Sequence, residues 1–118
     1  LQMTAQELST IIHKRVDMTI FIINNSGYTY ERYIHGMDEE YNDVAPWNYS
    51  AAPQCFGSPD GYLIQSLTVR TWKDVDSVLN SNSFLTGKGL TLVDVVMDRY
   101  DIPTKSKKLF EFIGKQLK

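Results

Sequence analysis

The chain has 118 residues, 42% of them apolar and 22% charged, a balance that suits one folded domain and excludes a fibre or a disordered tail. Its formal net charge of −2 argues against a nucleic-acid-binding protein, which would carry a basic stripe. No apolar run approaches the ~18 residues needed to span a membrane.

In chain order, Thr4-Ala5-Gln6-Glu7 has the form of a capping box, with a hydroxyl at the cap and a carboxylate three residues on. Leu8, Ile11, Ile12 and Arg15 follow at helical spacing, so residues 4–15 are predicted to form a helix with one apolar face. No secretory signal is expected, because this helix pattern starts within the first residues. Residues 18–23, Met-Thr-Ile-Phe-Ile-Ile, form a nearly unbroken apolar run suited to a strand covered on both faces, as in a parallel sheet. The run stops at Asn24-Asn25-Ser26-Gly27, a turn signal, and a short helix is predicted around residues 30–34, closed by Gly36.

Residues 37–60 read as irregular, punctuated by Pro46, Pro53, Gly57 and Pro59, with room for a short helix in 47–56. Trp47 and Tyr49 are expected to pack this loop onto the sheet, and the acidic run Asp38-Glu39-Glu40 to be solvated. Cys55 is the single cysteine, so no internal disulfide can form. A reducing, cytoplasmic setting is expected, with Cys55 a small buried hydrophobe. Residues 63–69 read as a second strand, and Thr71…Asp74 caps a helix at 72–80 with Val75, Val78 and Leu79 as its buried stripe. Residues 80–89 read as a polar loop and 90–97 as a third strand. Beyond Pro103 a final helix follows, its apolar face formed by Leu109, Phe112, Ile113 and Leu117. Residues 104–118 carry five lysines and one glutamate, most simply a solvated helix face.

Helices and strands thus alternate, which predicts an α/β fold with a three-layer parallel sheet and helices on both faces, in a single domain over residues 1–118. Such a sheet needs a strand before the first helix, so the fold is expected to be incomplete at the N-terminus. Open parallel sheets bind ligands beyond the carboxyl ends of their strands, and the turn after Ile23 lies at such an end. The Asn25 amide oxygen suits a hard cation, and Gly27 lets the backbone turn a carbonyl towards the same ion. Mg²⁺ takes about six oxygens and commonly shares them with phosphates. By itself the string is equally a common tight turn.

The longer string Ile23-Asn24-Asn25-Ser26-Gly27-Tyr28-Thr29-Tyr30-Glu31, with Ile34-His35-Gly36, resembles the second half of the thiamine-diphosphate motif of the pyruvate and indolepyruvate decarboxylase family. Residues 1–9, 41–49 and 90–97 resemble the same family, so the likeness covers roughly residues 1–103. It implies a thiamine-diphosphate-binding fold and a 2-oxo-acid decarboxylase acting on pyruvate, phenylpyruvate or indolepyruvate, with thiamine diphosphate and Mg²⁺ as cofactors. It implies Asn25 and Gly27 as metal ligands, and Asn25, Ser26, Gly27, Tyr28, Thr29 and Tyr30 as the loop against the diphosphate. Glu31 matches the glutamate that handles protons. Tyr30 departs from the family's frequent isoleucine beside the substrate, and a larger, polar-tipped side chain would narrow or reorient that pocket.

Glu31 suits the role physically only if burial and neighbouring negative charge let a carboxyl donate a proton near neutral pH. An exposed glutamate in a first helical turn is the plain alternative. His35 reads as part of the family's turn and His13 as a surface residue. The likeness also implies elements outside these residues: an aspartate of a Gly-Asp-Gly preceding Leu1, and a glutamate from an N-terminal domain of a second subunit in a dimer or tetramer. Two functions therefore stand at this point. One is a portion of a complete decarboxylase, inactive when isolated. The other is a short non-catalytic homologue acting as a binding or subunit-interaction module.

Overall fold

A computed structural model describes residues 1–116. Among the described residues, three strands form one sheet: β1 (Met18–Asn24), β2 (Ile64–Val69) and β3 (Leu90–Val96), in the order β1-β3-β2. β2 and β3 run parallel, with Ile64 opposite Leu90 and Val69 opposite Val95. The helices are α1 (Glu7–Lys14), α2 (Thr29–His35), α3 (Trp72–Leu79), α4 (Asn82–Thr86) and α5 (Thr104–Gln116). Two 3-10 stretches, Glu40–Asn42 and Tyr49–Phe56, lie in the long connection before β2. The predicted α/β class holds.

The chain forms two compact units. The first comprises Leu1–Ile23 and Asn48–Val96 and contains the sheet. Successive strand side chains point to opposite faces, and the two faces of central β3 are covered by different partners. Leu90 and Leu92 pack with Ile22, Leu8 and Ile12 of α1, Tyr49 and Tyr62. Val93 packs with Val69 and with Val78 of α3. Helical cover on both sides buries Leu90 to Asp94 almost completely.

Several expectations are corrected here. The Thr4 capping box does not form. Gln6 is the N-cap without a side-chain bond, because Thr4, Ala5 and Gln6 carbonyls already accept the Glu7, Leu8 and Ser9 amides. Arg15 is not helical but closes α1 in the left-handed region at φ 52°. β1 is not covered on both faces: it lies at the edge of the sheet, and Phe21 and Ile23 are 48% and 58% exposed. The polar loop at 80–89 contains α4, capped by Ser81 Oγ accepting the Phe84 amide and ended at Gly87. Phe84 then meets Phe21 edge-on, with centroids 6.2 Å apart. Cys55 is exposed, because the 3-10 helix turns Tyr49 and Pro53 inward instead. In the stripe of α3, Val78 is buried and Val75 half-buried, but Leu79 is exposed.

The second unit comprises Asn24–Trp47 and the described residues from Met97 onward. In it α2 packs against α5. The inward face of α5 is Ser106, Phe110, Ile113 and Gly114, while Leu109 and Phe112, assigned to that face from the sequence, are exposed. Gly114 explains the rotation. A Cβ there would sit 2.7 Å from the Tyr33 carbonyl and 3.2 Å from that of Ile34, so the bare backbone permits the close approach. Leu117 lies outside the described residues. Of the aromatic pair in the long connection, Tyr49 is buried and Trp47 is 42% exposed.

Candidate functional site

The turn leaving β1 is shaped by two residues. Ser26 adopts the left-handed conformation at φ 61°. Gly27 pairs in an isolated antiparallel bridge with Asp43, with the Tyr28 amide donating to the Asn42 carbonyl at 2.9 Å. A side chain at Gly27 would run into the Asn42 carbonyl and the Arg32 guanidinium, so only glycine fits.

Arg32 holds this bridge. Its side chain is fully buried, and the guanidinium donates to the carbonyls of Ser26, Asn42 and Met37 and to the Asp43 carboxylate at 2.5 Å. Arg99 donates to the same carboxylate oxygen at 2.8 Å. The Arg32 hydrogen bond, with the charges of Arg99 and Arg32 beside it, holds the Asp43 carboxyl below its usual range. Nothing in the sequence pattern singled out Arg32 or Asp43. The one available signal was a cation inside a short aromatic helix followed by an acidic loop.

Asn25 is half-buried, and its Nδ2 donates to Thr29 Oγ1 at 2.8 Å. Thr29, buried at the start of α2, donates in turn to the Arg99 carbonyl at 2.9 Å. Tyr28 and Tyr30 are about half exposed, and the Tyr30 ring stacks on Phe110 of α5, centroids 4.7 Å apart. Glu31 lies in the first turn of α2 with its side chain half exposed, and Oε2 is 3.3 Å from Nε2 of His35. His35 therefore closes α2 and also faces Glu31. The burial expected around Glu31 is not supplied by α2 itself. Asp38 accepts the Tyr100 hydroxyl at 2.9 Å and raises its pKa. His13 is exposed on α1.

Among the described residues no cluster of three or more His, Cys, Asp or Glu side chains could hold a metal. A cation at this turn would thus rest on the neutral oxygens of Asn25 and Gly27 together with anionic ligands from elsewhere. The donor set fits Mg²⁺ shared with a diphosphate, which itself brings charged oxygens.

Residues 1–95 match the family model for the thiamine pyrophosphate enzyme C-terminal TPP-binding domain. A pyruvate decarboxylase of Aspergillus parasiticus is 55% identical over 104 residues, covering 86% of this chain and 18% of that protein. A pyruvate decarboxylase of Aspergillus fumigatus is 38% identical over 107 residues, 91% of this chain and 18% of that protein. An alpha-keto-acid decarboxylase of Mycobacterium avium is 34% identical over 102 residues, 86% of this chain and 17% of that protein. The chain thus spans under a fifth of the length of these relatives.

Proposed function

Because the chain belongs to the thiamine pyrophosphate enzymes as a C-terminal TPP-binding domain, we propose that it is the diphosphate-holding portion of a 2-oxo-acid decarboxylase. The supporting observation is the turn at the carboxyl end of β1. It carries the Asn25 amide and the Gly27 backbone, with the Glu31 carboxyl one helical turn beyond. Under this reading Asn25 Oδ1 and the Gly27 carbonyl hold Mg²⁺, and Ser26 to Tyr30 line the diphosphate. Bound thiamine diphosphate supplies an electron sink for the bond that releases CO₂.

Glu31 is the group placed to deliver a proton to the carbon that loses CO₂. That requires substrate and covering domains to shield the half-exposed carboxyl from water. His35, 3.3 Å away, is the ready partner for the carboxylate left after transfer. Tyr30, fixed by its stack on Phe110, offers a rigid wall to the substrate side. The substrates proposed are pyruvate, phenylpyruvate or indolepyruvate, converted to the aldehyde and CO₂ in a cytoplasmic homodimer or homotetramer. The test is aldehyde release by the full-length polypeptide that carries this domain. Turnover dependent on thiamine diphosphate and Mg²⁺ supports the reading, and a correctly folded, cofactor-loaded protein inert towards all three acids refutes it.

A further inference from the structure

The three-residue chain of hydrogen bonds from Asn25 through Thr29 to Arg99 has a fixed direction. A backbone carbonyl can only accept, so the single hydrogen of the Thr29 hydroxyl goes to the Arg99 carbonyl at 2.9 Å. What Thr29 Oγ1 then offers Asn25 is a lone pair, which only the amide NH₂ can meet, at 2.8 Å. The Asn25 amide is thereby locked with Oδ1 turned away from Thr29.

The far end of the chain is also anchored. The Met97 amide donates to the Asn24 carbonyl at 3.0 Å, the Arg99 guanidinium grips Asp43, and the Tyr33 hydroxyl donates to the Tyr100 carbonyl at 2.9 Å. The acceptor thus sits in a segment tied on both sides of residue 99. Thr29 itself is buried, so water does not compete for its hydroxyl.

We infer that Thr29, besides lying in the diphosphate-lining segment, is a positioning residue whose side-chain hydroxyl, engaged by Asn25 and the Arg99 carbonyl, orients the Asn25 amide so that its oxygen rather than its NH₂ faces a divalent cation. This rests on the proposed metal role of Asn25. Without the hydroxyl the amide can rotate and present NH₂, which cannot ligate. Partners that orient a metal ligand commonly cost about 10- to 100-fold in metal affinity when removed.

The experiment titrates Mg²⁺ into the full-length polypeptide with thiamine diphosphate, following cofactor loading by calorimetry, for wild type, Thr29→Val, Thr29→Ala, Thr29→Ser and Asn25→Ala. The Val and Ala variants are expected to need about 10- to 100-fold more Mg²⁺ for half-loading, and the Ser variant to behave as wild type. At saturating Mg²⁺ their diphosphate affinity is expected to match wild type. A merely structural role, or direct contact with the diphosphate, would not give that recovery. If the Val variant does not fold, the Ala and Ser pair, differing by one oxygen, decides. Normal Mg²⁺ dependence in Thr29→Ala beside a defect in Asn25→Ala overturns the positioning role alone. Normal dependence in both removes the metal role of Asn25 and the inference with it. A diphosphate defect persisting at saturating Mg²⁺ also overturns it.

Discussion

Asp43 carries two arginines on one carboxylate oxygen, and that arrangement sets a pH dependence. Its pKa is depressed in the folded chain, so its contribution is fully present above the unfolded value of about 3.9 and lost as pH falls through the folded value. Asp17, which accepts the Gly89 amide and faces Lys88, and Asp74, in the cap of α3, are depressed likewise and act in the same direction. Stability should therefore fall as pH drops below about 4. Asp43→Asn should flatten part of that fall in an acid-denaturation series; an unchanged profile would show that the pair contributes nothing measurable. Under the proposed function, Glu31→Gln in the full-length polypeptide should lower turnover by roughly 10² to 10⁴ while cofactor binding persists, and unchanged steady-state kinetics would remove Glu31 as the acid. The residues Asn25 to Glu31 were legible because turn chemistry and a family string coincide there. Arg32 was not, because its partner Asp43 is 11 residues away and a cation on a seven-residue helix looks solvated.

The elements show how similar strings diverge. Thr71 and Asp74 form a complete capping box, with Thr71 Oγ1 accepting the Asp74 amide and the Asp74 carboxylate accepting the Thr71 amide. The same pattern at Thr4 does not, since backbone turns occupy the donors first. Thr71→Ala should therefore cost about 0.5 to 2 kcal/mol, measured as a shift in thermal or urea unfolding, and a Thr4→Ala change should leave the midpoint unmoved. On α5 the spacing of large apolar residues pointed to Leu109 and Phe112, yet the packing follows the glycine. Hydrophobic periodicity weighs side-chain size and is blind to a backbone approach. Gly114→Ala should destabilise the packing of α5 on α2 by about 1 to 3 kcal/mol, seen as faster amide exchange in both helices. Exchange rates equal to wild type would contradict the contact.

For the molecule as a whole, the α/β class and the two covered faces of β3 were readable from alternation and from nearly continuous apolar strands. The exposure of β1 was not, because an apolar run looks the same at the edge of a sheet as at its centre. Phe21 and Ile23 leave apolar surface on an edge strand, which favours association with other chains. The 118-residue chain alone should sediment as a concentration-dependent mixture and release no aldehyde from pyruvate; a monomer with measurable turnover would contradict both expectations. The most direct test concerns Asn25. Calorimetric titration of Mg²⁺ and thiamine diphosphate into full-length Asn25→Ala should give at least about tenfold weaker metal-dependent binding than wild type. Affinity equal to wild type would mean that the turn after β1 does not hold the metal-bound diphosphate.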